Sequence, residues 1–363
     1  MTSIYLIRHA EAEGNLYRIA QGQHDSNLTD WGWRQVQALR KRFENVQIDA
    51  VYSSDLYRAC ATASAICQPR GLPLHRRTGL REICVGDWEQ RTWGDIARTY
   101  PQEMSDFKQR MDRWSIPGAE TPAEVQARLL REIRSIAAEN PDRTIAVFSH
   151  GYAIRLVLAA LQGVSLRDTG TKTPTGDNTA VSLLEADGDV LRVVWQNDNR
   201  HLLSLTLPSG QKPHKRANAL EPGLWYRAVS LETLPEDGPV REAIMSSGAP
   251  LRSELHTRVG FRGEEPAALL QTGPGLSDIP DGTKALSVQW LWVREDCRRR
   301  GFGIQLIGQA VLEAREAGAG FLLARPEGAE NRAFFRYCGF FPAGSGPNMA
   351  KDIRFDQSIF GGA

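Results

Sequence analysis

The feature that most constrains this chain is an alternation of short apolar runs with helix-like segments, which holds to about residue 205 and then breaks. Apolar runs at residues 4–7, 50–53 and 144–148 read as short buried strands. Periodic apolar positions predict helices over 31–43, from 58 to 67, from 122 onward through Val125, Leu129, Leu130 and Ile133, and over 152–161. Thr29 or Asp30 is placed to cap the first of these. Thr121-Pro122-Ala123-Glu124 has the form of a capped helix start with proline in the first turn. Runs at 180–184 and 190–195 around Asp187-Gly188 read as a closing strand pair. Repetition of strand, loop and helix implies a mainly parallel α/β sheet.

The break lies at residues 207–222, a polar, turn-rich and basic stretch containing Pro-Ser-Gly-Gln-Lys-Pro-His-Lys, which reads as a linker. A length of 363 residues is too great for one ordinary core and suits two domains, 1–206 and 223–363. The second half starts afresh with a strand over 224–229, a helix over 240–246 and strands near 258–261 and 267–271. The longest strand candidate follows at 286–293, then a helix over 304–317 and a strand at 321–324. The tail after Phe341 is rich in Gly and Ser and reads as loose. A net charge of +1 supplies no global field for nucleic acid or an anionic membrane, and no apolar run is long enough to span a bilayer. Five cysteines, none spaced as a zinc knuckle or a redox pair, point to reduced thiols in a cytoplasm, and the N-terminus lacks the pattern of a signal peptide.

Chemistry-bearing residues gather at predicted strand ends. Arg8 and His9 follow the first strand, Arg58 opens the helix after the second, and His150-Gly151 follows the third, with Glu82 in a loop between them. Ligands of open α/β sheets bind beyond the C-terminal ends of strands. Two arginines can grip a phosphate dianion through planar, permanently charged donors. A neutral imidazole between them can attack phosphorus, a second imidazole can stabilise the equatorial oxygens, and a carboxyl group can serve the leaving alkoxide and then the water. No metal is required by this chemistry.

Leu6-Ile7-Arg8-His9-Ala10-Glu11 resembles the signature of the histidine phosphatase superfamily, also called phosphoglycerate-mutase-like. The resemblance extends through Asn15, Gln21-Gly22, Asp25, Leu28-Thr29 and Gly32, then Ser53-Ser54-Asp55-Leu56-Tyr57-Arg58-Ala59 and Leu80-Arg81-Glu82 with Gly86-Asp87-Trp88-Glu89. It ends with Gly118-Ala119-Glu120-Thr121 and Ser149-His150-Gly151, and covers about residues 1–205. It implies a three-layer α/β/α fold and a catalytic set of His9, Arg8, Arg58, Glu82 and His150, with His9 as nucleophile and Glu82 as general acid/base. Asn15, Gln21, Gly22 and Gly151 then line the substrate pocket, and the phosphatase needs no cofactor or metal. Ala10 stands where many members carry glycine.

Within such a family the alternatives are hydrolysis and phosphoglycerate-type mutation. The mutases carry a basic insertion after the acid/base block, whereas this chain runs on through Trp93-Gly94-Asp95-Ile96 without a matching pair of arginines, and Val85 replaces a usual tyrosine. Net hydrolysis is therefore the expectation. Trp88, Trp93 and Trp114 are either a wall for a less polar leaving group or core. Glu11, Glu89 and Glu120 read as structural, and His24, His75, His201, His214 and His256 as surface or internally satisfied histidines.

A second motif lies in Val293-Arg294-Glu295-Asp296-Cys297-Arg298-Arg299-Arg300-Gly301-Phe302-Gly303, between a strand and a helix. Two glycines and a helix N-terminus with nearby arginines suit a pyrophosphate. The segment resembles the R-x-x-G-x-G loop of GNAT acetyltransferases, and Glu330-Asn331-Arg332-Ala333-Phe334-Phe335-Arg336-Tyr337-Cys338-Gly339-Phe340 resembles their closing block. Trp225-Tyr226-Arg227-Ala228-Val229 is similar to their first strand, so the resemblance spans about 222–345. It implies an α+β GNAT-like domain binding acetyl-CoA through Val293, Arg298, Arg300, Gly301, Gly303 and Asn331. Phe335 stands where a tyrosine acid is frequent, with Tyr337 two residues later, so CoA binding is better supported than transfer. Glu254 and His256 are the general-base candidates. The expected partners are a small phosphorylated metabolite and acyl-CoA, with a homodimer admitted and no nucleic acid or membrane. By analogy with other fusions, one amine-bearing metabolite would serve both sites. A non-catalytic regulatory module is the alternative for the second domain.

Overall fold

The computed structural model describes residues 1–205, 223–230, 232–274, 282–344 and 346–360. The expected linker at 207–222 lies outside them. The first domain runs β1 (Thr2–Arg8), α1 (Glu13–Tyr17), α2 (Asp30–Phe43), β2 (Ala50–Ser53), α3 (Tyr57–Arg70), β3 (Leu74–Arg76), α4 (Trp93–Thr99), α5 (Pro101–Gln109), α6 (Pro122–Glu139), β4 (Thr144–Ser149), α7 (Gly151–Leu161), α8 (Leu166–Lys172), β5 (Val181–Asp187) and β6 (Val190–Asp198). The second runs β7 (Trp225–Val229), α9 (Pro239–Ser247), β8 (His256–Arg262), β9 (Glu265–Pro274), β10 (Ala285–Val293), α10 (Phe302–Glu316), β11 (Phe321–Ala324), α11 (Gly328–Tyr337), β12 (Phe341–Pro342) and β13 (Met349–Asp352).

The first sheet has the order β3-β2-β4-β1-β5-β6, parallel through β1 and antiparallel for the closing pair. Alternate residues of one strand feed opposite faces. Ile145 and Val147 join Val125, Leu129 and Ile133 of α6 and Ala153 and Val157 of α7. Ala146 and Phe148 join Val36, Leu39 and Phe43 of α2 and Ala61 and Ile66 of α3. The result is the three-layer α/β/α architecture. Helix starts follow local chemistry. The Thr29 hydroxyl accepts the Gly32 amide, and Thr121 with Glu124 forms a reciprocal capping box, a device worth about 1 kcal/mol.

Register sets the site. Arg8 pairs with Ser149, and Ser53 with Phe148. The residues that follow these strand ends, His9, His150 and Ser54, therefore emerge side by side at one edge of the sheet.

The second sheet has the order β12-β13-β11-β10-β9-β8-β7. β10 pairs in parallel with β11 from Ala285 only as far as Val288, yet continues to Val293 against β9, so the two strands part beyond Val288. Two expectations are corrected. The longest strand is β9, with 10 residues against 9 in β10, because Thr272-Gly273-Pro274 stays paired to Val288-Ser287-Leu286 instead of turning. The tail is not loose, because β13 pairs with both β11 and β12, and Phe355 and Ile359 pack on the first domain's core. Among the described residues no helix is long and apolar enough to cross a membrane.

Candidate functional site

His9 is 3% exposed. Its Nδ1 lies 2.7 Å from the Ala10 carbonyl oxygen, an acceptor, so Nδ1 carries the hydrogen and Nε2 keeps its lone pair. Burial, then the charges of Arg58 and Arg8, hold this imidazole well below its usual range, so it is neutral at ordinary pH. The His9 and His150 rings lie 5.2 Å apart. His150 is fully buried and neutral for the same reasons, led again by burial.

The two arginines are anchored from behind. Arg58 is 1% exposed and donates to the Gly22 and His24 carbonyls at 2.7 and 2.8 Å. Burial pushes it down to about 10, which still leaves it charged near neutrality. Arg8 donates to the Gly176 carbonyl. A side chain at Gly151 would stand 2.9 Å from the Arg8 guanidinium, so only glycine lets the arginine lie across the start of α7. Glu82 accepts the Tyr152 and Ala153 amides at 3.1 and 2.9 Å, which fixes its carboxylate over the N-terminus of α7.

The expected pocket residues cluster here. Asn15 accepts the Ala12 amide at 3.0 Å and Asn178 at 3.4 Å. Gln21 accepts from Ser26 and packs over Gly14. Gly22 has φ +49, and a Cβ there would meet Glu89 at 2.4 Å. Glu11, Glu89 and Glu120 each hold a neighbouring group. They bind Thr29 at 2.9 Å, the Gln23 amide at 2.9 Å and Arg128 at 2.9 Å. Trp88 and Trp114 are core, at ring distances of 5.4 Å from each other and 5.6 and 5.0 Å from Phe107, so they form no open wall.

Several contributors escaped sequence reasoning. The Ser54 hydroxyl binds His150 Nε2 at 2.8 Å. Arg128 donates to the Arg81 and Glu82 carbonyls at 3.0 and 3.3 Å and so braces the acidic loop. Asn178 donates to the His9 carbonyl at 3.0 Å, and the Thr179 amide reaches the Arg8 and His9 carbonyls at 3.1 and 3.3 Å. Thr179 does this with φ +61, a strained conformation for a β-branched residue. Its hydroxyl contacts His201 at 3.0 Å, and Arg42 donates to the other ring nitrogen at 3.2 Å. The signal available was a polar Asp177-Asn178-Thr179 run entering a strand, which alone is ordinary turn chemistry.

In the second domain, Gly301 with φ +81 opens α10, whose N-terminus has no side-chain cap. The first amides of α10 lack intrahelical partners by position. Arg300 lies exposed beside them. Arg298, also exposed, donates its Nε to the Val293 carbonyl at 3.1 Å and so braces the loop. Asn331 is exposed on α11, next to Glu330, which pairs with Arg299 at 2.9 Å. Phe335 points into the core against Phe340 at 5.0 Å, whereas Phe334 is the residue beside Gly303. His256 is bound to Glu313 at 2.6 Å near the far end of α10, eleven residues from its start and so about 16 Å along the helix. Glu254 is exposed. Neither is held at the glycine loop. Among the described residues no cluster of potential metal ligands occurs.

Comparison with known proteins agrees with both halves. The family described as the histidine phosphatase superfamily (branch 1) matches residues 4–199, and the acetyltransferase (GNAT) family matches residues 246–340. The chain is 35% identical to a Proteus mirabilis protein named Probable phosphoglycerate mutase GpmB, over 45% of this chain and 76% of that one. It is 28% identical to Phosphoserine phosphatase 1 of Hydrogenobacter thermophilus, over 46% of this chain and 79% of that one. Among solved structures, Bacillus stearothermophilus YhfR superposes with a TM-score of 0.54 at 32% identity, covering 55% of this chain and 99% of that one.

Proposed function

This chain belongs to branch 1 of the histidine phosphatase superfamily, and we propose that it hydrolyses a small phosphomonoester without a metal, through a phosphohistidine on His9. The observation that carries the reading is the juxtaposition of two neutral imidazoles, 5.2 Å apart, with buried Arg58, half-buried Arg8 and Glu82. Arg8 and Arg58 hold the phosphoryl oxygens. His9 Nε2 attacks phosphorus while the P–O bond to the alkoxide breaks, and the Glu82 carboxyl gives its proton to that alkoxide. The Glu82 carboxylate then takes a proton from water, whose oxygen displaces His9 and releases phosphate. His150 donates to an equatorial oxygen throughout. Asn15, Gln21, Gly22 and Gly151 shape the pocket.

Net hydrolysis is favoured over the mutase activity in one relative's name. The buried Val85 occupies the position where the mutases usually have a tyrosine, and the segment after the acid/base block forms α4 without the matching pair of arginines.

The C-terminal GNAT domain fits acetyl-CoA. Its residues offer an uncapped helix N-terminus, a glycine loop and strands that part beyond Val288. Bound there, acetyl-CoA supplies a thioester acyl group for an amine. The amides after Gly301, with Gly303 and Arg300, would hold its pyrophosphate, and Val293 and Asn331 flank that loop. Because Phe335 is core, the position where a tyrosine acid is frequent offers no hydroxyl to a leaving thiolate, which favours a CoA-binding module over an efficient transferase. An amine-bearing phosphomonoester such as phosphoserine suits both domains. A screen of phosphorylated metabolites for phosphate release, with and without acetyl-CoA, tests the proposal. No release from any amine-bearing phosphomonoester would reject the substrate class, and no release from any compound would reject the activity.

A further inference from the structure

The phosphate-binding end of the first domain does not stand alone. Helix α1 follows His9 closely and carries Asn15, but has only 5 residues. Helices that short are not stable without packing. What α1 packs on belongs to the other domain. Tyr17, 1% exposed, and Ile19 share a core with Leu224, Phe302, Leu306 and Ile307. A Cβ at Gly308 would lie 2.4 Å from the Tyr17 Cβ, so the two helices meet at a distance only glycine permits. Glu13, the first residue of α1, is 3% exposed. Its carboxylate lies 2.8 Å from Arg315 and 3.9 Å from Lys351, both in the C-terminal domain.

These contacts run on to the reacting residue. The Asn15 side chain accepts from Asn178 at 3.4 Å, and Asn178 also donates to the His9 carbonyl at 3.0 Å. A second leg reaches Arg58, where Phe355 of the tail lies 5.0 Å from the ring of the neighbouring Tyr57. We propose that the C-terminal domain forms part of the phosphatase site, with Gly308 and Arg315 of α10 as positioning residues that hold α1, and through it Asn15 and His9, in register for phosphoryl transfer. This rests on the phosphatase reading above. Docking that served only to join two domains would sit anywhere on their surfaces. Here it falls on the helix that immediately follows the His9 loop, and it seats a buried carboxylate there.

The test uses the full chain, as wild type, Gly308→Ala, Arg315→Met and the double variant Glu13→Gln with Arg315→Met. Each is assayed on p-nitrophenyl phosphate and titrated with orthovanadate in a calorimeter, with circular dichroism to confirm folding. Gly308→Ala wedges α1 away, and Arg315→Met strips Glu13 of its nearer cation. Each should lower kcat at least about tenfold with KM within about threefold, because small misplacements cost rate before they cost binding. The double variant removes both the buried charge and its partner, so it should regain most of the lost kcat. Folded single variants with kcat within twofold of wild type would overturn the proposal, as would a double variant no better than Arg315→Met. If wild type turns over no phosphomonoester, the phosphatase reading fails by itself. Vanadate then decides the docking role, with affinity lost by tenfold in Arg315→Met supporting it and unchanged affinity overturning it. Should Arg315→Met not fold, Gly308→Ala, which adds one methyl group, decides the question by the same thresholds.

Discussion

The hydroxyl of Ser54, at the end of β2, lies 2.8 Å from Nε2 of His150, at the end of β4. The Leu56 amide takes one lone pair of the same hydroxyl oxygen at 3.3 Å, and the tautomer follows when the Ser54 proton is given to the imidazole. Nε2 is then an acceptor and Nδ1 keeps its hydrogen. That Nδ1 is buried and has no partner among the described residues, so it can donate to an anion entering between the arginines. One hydroxyl thus sets the tautomer on which transition-state stabilisation depends.

Replacing Ser54 by alanine should release that tautomer and leave two ring nitrogens unpaired. Stability should drop by about 1–3 kcal/mol, the cost of an unsatisfied buried polar group. The kcat should fall about tenfold while phosphate still binds, since the arginines are untouched. Thermal unfolding and steady-state kinetics on one preparation check both, and an unchanged kcat would remove Ser54 from the site.

His9→Ala should abolish turnover without unfolding the chain, because the lost ring leaves its backbone bonds to Ser149, Asn178 and Thr179 in place. EDTA should have no effect on wild type. Activity within a few-fold of wild type in His9→Ala, or activity lost to chelator and restored by a divalent ion, would refute the mechanism.

Much of this site was legible in the sequence, and the reason is geometric. Arg8, His9 and His150 follow apolar strand runs directly, so periodicity alone sends them to the sheet edge. What stayed hidden depends on register and backbone conformation. Ser54 reaches His150 only because β2 and β4 pair Ser53 with Phe148. Thr179 grips the Arg8 and His9 carbonyls from a left-handed conformation that threonine rarely adopts. Gly308 looked like an ordinary helical residue, since the partner that demands a glycine is Tyr17, nearly three hundred residues away in the chain. The tail looked loose because its glycines suggested turns. Gly344, at φ +71, does sit in one, and that turn joins two strands.

Glu82→Gln should slow hydrolysis of alkyl phosphates more than of aryl phosphates. A phenolate leaves without much help from an acid, whereas an alkoxide needs the proton. The amide of glutamine can still accept one of the two α7 amides that bind Glu82, so the loop should survive. Comparing serine phosphate with p-nitrophenyl phosphate gives the ratio, and equal losses on both would move the acid elsewhere, with Glu89 or Asp87 next.

The two depressed histidines fix the response to acid. Above about pH 6.5 both are neutral in folded and unfolded chains, and their contribution is complete. As pH falls below that value the unfolded chain takes up protons that buried His9 and His150 refuse, so stability is lost on acidification. The slope is about 1.4 kcal/mol per pH unit for each histidine. His201, pushed down to about 4 by burial and by Arg42, adds to the loss over the same interval until it titrates. The melting temperature should be flat from pH 8 to 7 and fall below about pH 6, less steeply in His201→Gln. The kcat/KM of wild type should show no acid limb near 6.5, because His9 stays unprotonated there. An imidazole limb at that pH would show that the nucleophile is not the buried His9 described here.

The glycine loop gives the last prediction, on the full chain with CoA in a calorimeter. Gly303 faces Phe334 of α11, and a Cβ there would stand 3.2 Å from its ring. Gly303→Val must therefore push its branched side chain against that ring or into the space where a phosphate meets the helix N-terminus. Gly301→Val meets no neighbour within 4 Å, but it puts a β-branched residue at φ +81, where the cost is conformational. Both should weaken CoA binding at least tenfold, the first by crowding the anion and the second by deforming the turn that presents the amides. Arg298→Ala should act more mildly, by about 0.5–1.5 kcal/mol, because the turn and its amides remain when the Nε bond to the Val293 carbonyl is lost. Phe335→Tyr should not create a transferase, since position 335 faces the core beside Phe340 and a hydroxyl there would be buried away from the loop. A Gly303→Val protein that binds CoA as tightly as wild type would place the pyrophosphate somewhere other than the N-terminus of α10.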